Sequence, residues 1–326
     1  MNVLQSSELF KEINSLGRQG DPFIFLIDAF AEKGWTAKLD DASAFLWFST
    51  PLLSAFPPPV SVRTVHDWIV TPPAADSYKD GFDLVMEHIR RGDSFLLNYT
   101  RPSLLETQLS LEDIFYLSHA RYKVYLQDVF TCFSPETFVT INADGLISSH
   151  PMKGTAEANQ PLAEEKLLSD SKEIAEHHTI VDLIRNDLSR VARDVKLEKF
   201  RYTERIHTNR QDLIQVSSLI TGRLPASWKS ALGDIFRELL PAGSVTGAPK
   251  ARTIEIIRKA EGYDRGWYTG IFGVFDGSSV DSAVLIRFVE KTGDGLIFKS
   301  GGGITFQSNW ENEYLELIKK VYVPIA

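Results

Sequence analysis

Hairpin patterns that alternate with helical patterns constrain the fold of this chain more than any other feature. Residues 130–141 and 146–149 are predicted strands, and the turn between them ends in Asp144-Gly145, which supplies the positive φ of a tight hairpin. A β-meander is predicted over residues 266–306. Hairpins interleaved with helices predict an α+β fold, with antiparallel β-sheets packed as a sandwich and flanking helices.

The remaining elements follow from hydrophobic period and from Gly or Pro punctuation. The three strands of the predicted meander cover residues 269–275, 280–289 and 296–299. Other predicted strands cover residues 23–27 and 95–99, and predicted helices cover residues 80–91, 111–121, 164–193, 252–259 and 310–321. Since no linker-like stretch divides the chain, a single large domain is expected.

Composition excludes several classes of protein. The 326 residues contain no run of about 18 apolar side chains, so no membrane span is expected. A net charge of −8 argues against a general nucleic-acid binder, but a few local cations still allow an anionic small substrate. Cys132 is the only cysteine, and no secretory pattern opens the chain. These features exclude an internal disulfide and a cysteine zinc cluster, and they favour a cytoplasmic location.

Lys153 lies in the segment Pro-Met-Lys-Gly-Thr, directly after the predicted hairpin. Two interpretations are open at this point. The lysine is either an exposed turn residue or an amine nucleophile, and a nucleophile would have to be held neutral.

Acidic residues cluster on two of the predicted helices. Glu176 lies on the long helix, and Glu313 and Glu316 share one face of the last helix with Lys320. Carboxylate oxygens suit magnesium, although ordinary helix-surface ion pairs explain the same pattern. The neighbouring sequence 300–304 (SGGGI) suits a place where backbone N–H groups approach a carboxylate closely.

Two further features have a structural and a functional interpretation. Residues 241–250 (PAGSVTGAPK) do not have the spacing of a phosphate-binding loop, so they indicate either a structural Gly/Pro loop or a binding loop. Arg287 is expected to alternate within the apolar strand at 283–289. A cation there is costly unless it meets an anion from the protein or from a ligand.

Taken in order, these segments resemble the chorismate-utilising enzymes, a family that includes anthranilate synthase, aminodeoxychorismate synthase, isochorismate synthase and salicylate synthase. The resemblance runs from about residue 80 to residue 322. It rests on residues 92–100 (GDSFLLNYT), 133–136 (FSPE), 151–155 (PMKGT), 176–188 (EHHTIVDLIRNDL), 241–250, 268–270 (YTG), and 300–305 (SGGGIT) with 313–316 (EYLE). Residues 1–75 match loosely, so they are interpreted as a variable N-terminal part of the same fold. Residues 76–326 are interpreted as the chorismate-binding catalytic region.

Within the family, the lysine at position 153 makes the chain resemble the aminodeoxychorismate synthases, which carry lysine there, whereas anthranilate synthases typically carry alanine. The resemblance implies that Lys153 attacks C2 of chorismate while Glu136, as general acid, protonates the departing C4 hydroxyl. Ammonia then adds at C4 and expels the lysine. The implied product is 4-amino-4-deoxychorismate, the precursor of p-aminobenzoate in folate biosynthesis.

The resemblance also assigns binding roles. It implies that Glu176 and Glu316, with Glu313 close by, hold Mg²⁺ against a ring carboxylate. Tyr268 and Arg287 match the positions that hold the enolpyruvyl carboxylate. The other implied substrate contacts are Gly154, Thr155, Thr246, Gly301, Gly302, Gly303 and Lys320.

Two features of the sequence refine this interpretation: one residue that departs from the family pattern, and the absence of an amidotransferase signature. Gln215 stands where many members carry a histidine linked to pyruvate elimination, and glutamine cannot shuttle a proton at neutral pH. The change is compatible with a synthase that stops at the aminated chorismate. Cys132 does not lie in a nucleophile elbow, so nitrogen is expected from free ammonia or from a separate glutamine amidotransferase subunit.

Three alternatives remain open on the sequence. Anthranilate synthase component I would release fluorescent anthranilate. A noncatalytic module would bind chorismate without turnover, although Lys153, Glu176 and Glu316 together argue against it. A lysine Schiff-base enzyme would be trapped by borohydride with a carbonyl substrate and not with chorismate.

Overall fold

The computed structural model describes residues 2–42, 44–59, 61–63, 67–206 and 213–323. It gives only the backbone of Lys153, Thr155, Glu157, Ser171, Lys172, Ile206 and Leu213. The helices are α1 Ser6–Gln19, α2 Leu39–Ala42, α3 Ala75–Arg90, α4 Leu111–Leu117, α5 Ala163–Ser169, α6 Ser171–Ser189, α7 Leu232–Leu239, α8 Gly243–Thr246, α9 Lys250–Glu261 and α10 Trp310–Lys319, with a 3₁₀ turn at Trp228–Ala231.

The strands run from β1 to β19 in chain order. They are β1 Leu4–Gln5, β2 Phe23–Ile27, β3 Lys33–Lys38, β4 Leu46–Ser49, β5 Ser54–Ala55, β6 Ile69–Thr71, β7 Leu96–Glu106, β8 Tyr122–Leu126, β9 Phe130–Ser134, β10 Thr137–Ile141, β11 Leu146–Ser149, β12 Met152–Glu157, β13 Arg193–Ile206, β14 Leu213–Arg223, β15 Gly247–Ala248, β16 Ile271–Phe275, β17 Val280–Val284, β18 Phe288–Thr292 and β19 Gly295–Thr305.

The strands form two large antiparallel sheets, which confirms the expected α+β class. The first sheet has the order β1-β3-β2-β16-β17-β10-β11-β14-β12, with β13 paired to β14. The second has the order β15-β7-β19-β18-β9-β8-β4-β5, with β6 paired to β7. Because neighbours far apart in sequence pair within each sheet, the fold depends on long-range contacts.

Strand β2 shows how the sheets pack, since all five of its residues are buried. Phe23, Phe25 and Ile27 join a core with helices α1 and α7, while Ile24 and Leu26 join a core shared with the second sheet. This is the alternation of side chains that a strand imposes. A continuous apolar run therefore serves two cores, and the sheets pack as a sandwich with helices outside.

Two strands that the sequence predicts as continuous are interrupted in the structure. The predicted strand 130–141 breaks at Pro135-Glu136, and the predicted strand 280–289 breaks at residues 285–287. At both breaks the chain passes from one sheet to the other, so the prediction of a single meander over residues 266–306 is wrong. The Val284 amide donates to the Glu136 carbonyl at 3.1 Å, and the Phe133 amide donates to the Arg287 carbonyl at 3.0 Å. The two crossovers thus lie side by side.

Other boundaries also differ from the sequence prediction. The predicted helix 164–193 is divided at Asp170, whose side chain accepts from the Glu173 amide at 3.0 Å and so caps α6. The predicted helix 111–121 ends at Leu117. Met152 to Thr155, where an exposed turn was one of the two interpretations, lie within strand β12. Among the described residues, no helix is long and apolar enough to cross a membrane.

Candidate functional site

A cavity of about 180 Å³ opens where the two crossovers meet the ends of β7 and β19 and the short helix α8. Seven residues that the sequence analysis singled out line it: Glu136, Tyr268, Arg287, Gly301, Gly302, Gly303 and Lys320. These residues come from five separate segments of the chain. Their convergence on one cavity is what a binding site requires.

The crossovers place two side chains of opposite charge on the cavity wall. Glu136 accepts a hydrogen bond from the Ser244 hydroxyl at 2.7 Å. Arg287 lies between two strands with a φ of 54°, so the expectation that it alternates inside a strand is wrong. Its guanidinium donates to the Lys320 carbonyl at 3.0 Å and lies 4.8 Å from the Tyr322 ring. No ion pair of Arg287 occurs in the described part of the chain, so this cation is available to an anionic ligand.

The glycine segment of β19 forms an open cradle beneath helix α10. A Cβ added at Gly302 would lie 3.5 Å from Glu313 Oε2 and 3.6 Å from both Glu316 Oε1 and Lys320 Nζ. Lys320 Nζ lies 2.6 Å from Glu316 Oε1 and donates to the Gly301 carbonyl at 2.9 Å. The absence of a side chain at Gly302 leaves the strand backbone open towards a group of three charged side chains.

The donor set of this cradle fits a magnesium ion in part. Glu313 and Glu316 present carboxylate oxygens to the same space above Gly302, and oxygen ligands are what Mg²⁺ prefers. Glu176 is buried on α6, at 9% exposure. In the described residues, no group of three His, Cys, Asp or Glu side chains is placed to hold a metal. The predicted three-carboxylate set stays a prediction, and its two-residue part has a geometric basis.

Two buried polar groups complete the cavity wall. Burial raises the pKa of Tyr268, which Arg265 lowers and Glu261 raises to smaller extents, so the phenol keeps its proton at neutral pH and can donate. Lys299 also lines the cavity, at 2% exposure, and its ammonium lies 2.6 Å from Glu290. Lys299 is not among the residues predicted from the sequence, although a lysine at the end of a predicted apolar strand, just before three glycines, was an available signal.

The other predicted contacts lie at different distances from the cavity. Thr246 is buried behind the lining in α8, whereas its neighbours Ser244 and Val245 form part of the wall. Gly154 has a φ of 84°, and a Cβ there would meet Leu167 and Glu173. The side chains of Lys153 and Thr155 lie outside the described part of the chain.

Strand β12, which carries Lys153, passes along the cavity. Pro151 and Met152 both line it. The register of β12 on β14 shifts between Met152 and Thr155, which marks an irregularity around Lys153. Gln215 on β14 donates to the Met152 sulfur at 2.8 Å, so the residue that replaces the expected histidine packs beside this strand.

A second, smaller cavity of about 30 Å³ adjoins the first and shares Glu136, Pro151 and Ser244 with it. Asp187 lies on its wall and forms an ion pair of 2.8 Å with Lys250. Burial raises the pKa of Asp187 and lowers that of Lys250, and the pairing opposes both shifts only in part. This cavity has room for about one water-sized molecule.

Cys132 lies in the sheet and not at the cavity. It is buried at 1% exposure, and burial raises the pKa of its thiol. A buried thiol that keeps its proton is not a nucleophile. The expectation that this cysteine is no glutaminase nucleophile agrees with this environment.

Comparison with known proteins places this geometry in context. The family model for "chorismate binding enzyme" matches residues 31–326. The chain is 46% identical over 321 residues to an uncharacterized PabA-like protein of Haemophilus influenzae, covering 97% of this chain and 96% of that protein. It is 32% identical over 269 residues to aminodeoxychorismate synthase component 1 of Bacillus subtilis, covering 76% of this chain and 56% of the relative.

A solved structure gives the same result for the fold. The crystal structure of anthranilate synthase component I from Streptococcus pneumoniae superposes with a TM-score of 0.67 at 28% sequence identity. The match covers 82% of this chain and 62% of that protein.

Proposed function

The chain belongs to the family of chorismate binding enzymes, and we propose that it is an aminodeoxychorismate synthase component I, which converts chorismate and ammonia to 4-amino-4-deoxychorismate. One observation carries the proposal. Met152, on the strand that bears Lys153, and Pro151, just before that strand, line the same cavity as Glu136, Tyr268, Arg287 and the glycine cradle. A lysine on that strand is what distinguishes amination at C4 from the anthranilate reaction.

The charges of the cavity suit a substrate with two carboxylates. Arg287 and the Tyr268 phenol can hold one of them, and Lys320 with the backbone of Gly301 to Gly303 can hold the other. The two groups are connected, because Arg287 donates to the Lys320 carbonyl at 3.0 Å. Two held carboxylates would fix the orientation of the ring in the cavity.

The reaction proceeds in two displacements. The neutral Lys153 amine forms a bond to ring carbon C2, the double bonds shift, and the C4–O bond breaks as Glu136 delivers a proton so that water leaves. Ammonia then bonds to C4, the double bonds shift back, and the C2–N bond to Lys153 breaks. No electrons are gained or lost, and water is the only by-product of the exchange of hydroxyl for amine.

Magnesium is part of this proposal. Glu313 and Glu316, with Glu176 as a third ligand, would hold the ion, and bound magnesium would neutralise a ring carboxylate. Lys320, now against Glu316, is placed to add to the positive charge at this carboxylate.

The nitrogen source and the location are further parts of the proposal. Cys132 is buried and protonated, so the chain needs ammonia from outside, either free or from a separate glutamine amidotransferase subunit. The PabA-like name of the relative from Haemophilus influenzae is compatible with such a partner. A folate-pathway enzyme of this kind would work in the cytoplasm.

The experiment is product identification from chorismate, ammonium and magnesium. We expect 4-amino-4-deoxychorismate by mass spectrometry, with activity on glutamine only when an amidotransferase subunit is added. Omission of magnesium, or its chelation, should abolish turnover. No consumption of chorismate under these conditions would overturn the proposal.

Anthranilate synthase component I is the second candidate, because the superposed Streptococcus pneumoniae enzyme has that activity in its name. Two residues favour the first candidate over it: Lys153, and Gln215 beside Met152. Appearance of fluorescent anthranilate, with release of pyruvate, would establish the second candidate instead.

A further inference from the structure

Behind the cavity lies an ion pair that is almost completely excluded from solvent. The Arg265 and Glu261 side chains are each 1% exposed, and they approach to 2.6 Å. A guanidinium has five N–H donors, and all five are used here. Two of them bind the Glu261 carboxylate, at 2.9 Å and 2.6 Å. The other three bind elsewhere.

Those three donors reach three different segments of the cavity wall. Arg265 donates to the Asn98 carbonyl at 2.7 Å, to the Val245 carbonyl at 2.8 Å and to the Thr269 hydroxyl at 3.1 Å. Asn98 belongs to β7, Val245 to α8, and Thr269 follows Tyr268. All three acceptor residues line the cavity. One buried cation therefore connects three walls that are far apart in sequence.

Glu261 extends the same network to the glycine cradle. Its Oε1 accepts from both the amide and the hydroxyl of Thr100 at 2.8 Å. Thr100 lies opposite Gly301 in the β7–β19 ladder. The carboxylate thus holds the strand that supports the cradle.

Thr269 is held in a conformation that its side chain disfavours. Its φ is 64°, and a β-branched residue with positive φ is an outlier that the surroundings must enforce. The Arg265 hydrogen bond holds its hydroxyl, and the Thr269 amide donates to the Leu285 carbonyl at 2.8 Å. Leu285 belongs to the crossover that carries Arg287. The strained residue therefore ties Tyr268 to that crossover.

We propose that Arg265, paired with Glu261, is a positioning residue that fixes the β7, α8 and Tyr268–Thr269 walls of the cavity in the geometry that binds the substrate. This inference rests on the proposed function for its kinetic test. A buried ion pair contributes little net stability compared with apolar side chains, because desolvation offsets the attraction. The five donors spread over four partners favour fixed geometry as the role.

The first test is Arg265→Lys, which keeps the positive charge but has a single ammonium group. Lysine can pair with Glu261 but cannot reach the three wall acceptors together. We expect KM for chorismate to rise at least tenfold and kcat to fall, with KM for ammonium unchanged. The matched control is Arg258→Lys on helix α9, which ends at Glu261, and the exposed partner of Arg258 is Glu32. Its kinetics should equal those of the wild type.

The second test does not depend on the substrate. Hydrogen–deuterium exchange of the free protein should accelerate in peptides covering residues 96–101, 244–248 and 267–270 of Arg265→Lys, and stay unchanged in strand β2. If that variant fails to fold, the double variant Glu261→Gln with Arg265→Met leaves no buried charge unpaired and should show the same local acceleration. It should also show the same rise in KM.

The outcomes separate the two proposals. Unchanged exchange at all three walls, or unchanged KM in a folded variant, overturns the positioning role. A wild-type enzyme that does not turn over chorismate overturns the proposed function, and the exchange result still decides the role of Arg265.

Discussion

The two long walls of the cavity are built differently. On one side, β7 and β19 pair over ten consecutive residues, from Leu105↔Leu296 to Leu96↔Thr305, and the Glu261–Arg265 pair supports them from behind. On the other side, β12 ends its sheet and changes register beside Lys153, and the Asp187–Lys250 pair lies nearby. The wall that would hold one of the substrate carboxylates is a continuous ladder, whereas the wall with the proposed nucleophile is an edge strand.

The Glu261–Arg265 and Asp187–Lys250 ion pairs also differ between the two walls, in the direction in which the pKa of the cation is shifted. Burial lowers the pKa of Arg265, but the Glu261 carboxylate outweighs it and the pKa is raised overall. For Lys250 burial prevails over Asp187, and the pKa is lowered. Arg265 makes two hydrogen bonds to the Glu261 carboxylate and three to other acceptors, whereas Lys250 contacts Asp187 and the Leu239 carbonyl. A buried pair is well stabilised only when its remaining donors are also satisfied.

The largest expected effect lies on the edge strand. Lys153→Ala should reduce amination of chorismate by at least about 10³-fold, since the nucleophile is lost, and should leave the melting temperature unchanged. Lys153→Arg should be equally inactive, because a guanidinium stays protonated and cannot act as the nucleophile. The matched control is Lys166→Ala, an exposed residue on α5. Full activity of Lys153→Ala would remove the covalent mechanism and the functional contrast between the walls.

The next effect tests the crossover between the walls. Glu136→Gln removes the proton donor but keeps an acceptor for the Ser244 hydroxyl, so the rate should fall about 10²- to 10⁴-fold without loss of fold. Ser244→Ala should reduce the rate less, because it removes only one orienting contact. Equal rates for Glu136→Gln and the wild type would assign proton delivery to another group.

Neighbouring glycines on the ladder wall separate folding from binding. A Cβ at Gly301 would lie 2.4 Å from the Tyr99 carbonyl oxygen, so Gly301→Ala should lower the free energy of unfolding by about 1–3 kcal/mol. At Gly302 the contacts are ordinary, at 3.5 Å or more, and Gly302→Ala should leave stability unchanged while raising KM for chorismate about tenfold. Urea unfolding and steady-state kinetics on both variants measure this. The reverse pattern would show that the cradle is not a ligand site.

The smallest effect concerns the pair beside β12. Because the folded-state pKa of Asp187 is raised, its contribution to stability falls as pH rises from the ordinary aspartate pKa through the folded value. Because the pKa of Lys250 is lowered, its contribution rises as pH rises through the folded value towards the ordinary lysine pKa. Asp187→Asn with Lys250→Met should therefore gain about 1 kcal/mol over the wild type between these two ranges. If the double variant is instead less stable than the wild type at every pH, the Asp187–Lys250 pair is as well stabilised as the Glu261–Arg265 pair.

Much of the site was predictable from motifs. The buried charged residues that were not predicted lie in local sequence patterns that normally indicate exposed side chains. Glu261 is the last residue of α9 and Arg265 lies four residues further along the chain, a spacing of opposite charges that normally indicates an exposed surface pair. Their burial comes from α8, β7 and residue 269, which no local pattern reveals. Lys299 was not predicted for the same reason, because only the fold brings Glu290 and the carbonyls of residues 264 and 265 to its ammonium.

The sequence by itself determined the α+β class and the family, but it did not predict helix α1 or the long strands β13 and β14. Strand β2 matches its predicted bounds because five apolar residues between turn signals have few other solutions. Only the tertiary structure decided that residues 130–141 and 280–289 cross between sheets and bring Glu136 and Arg287 together. Local period is set within a few residues, whereas the crossover depends on hydrogen bonds between segments about 150 residues apart, whose partners cannot be read from either segment alone.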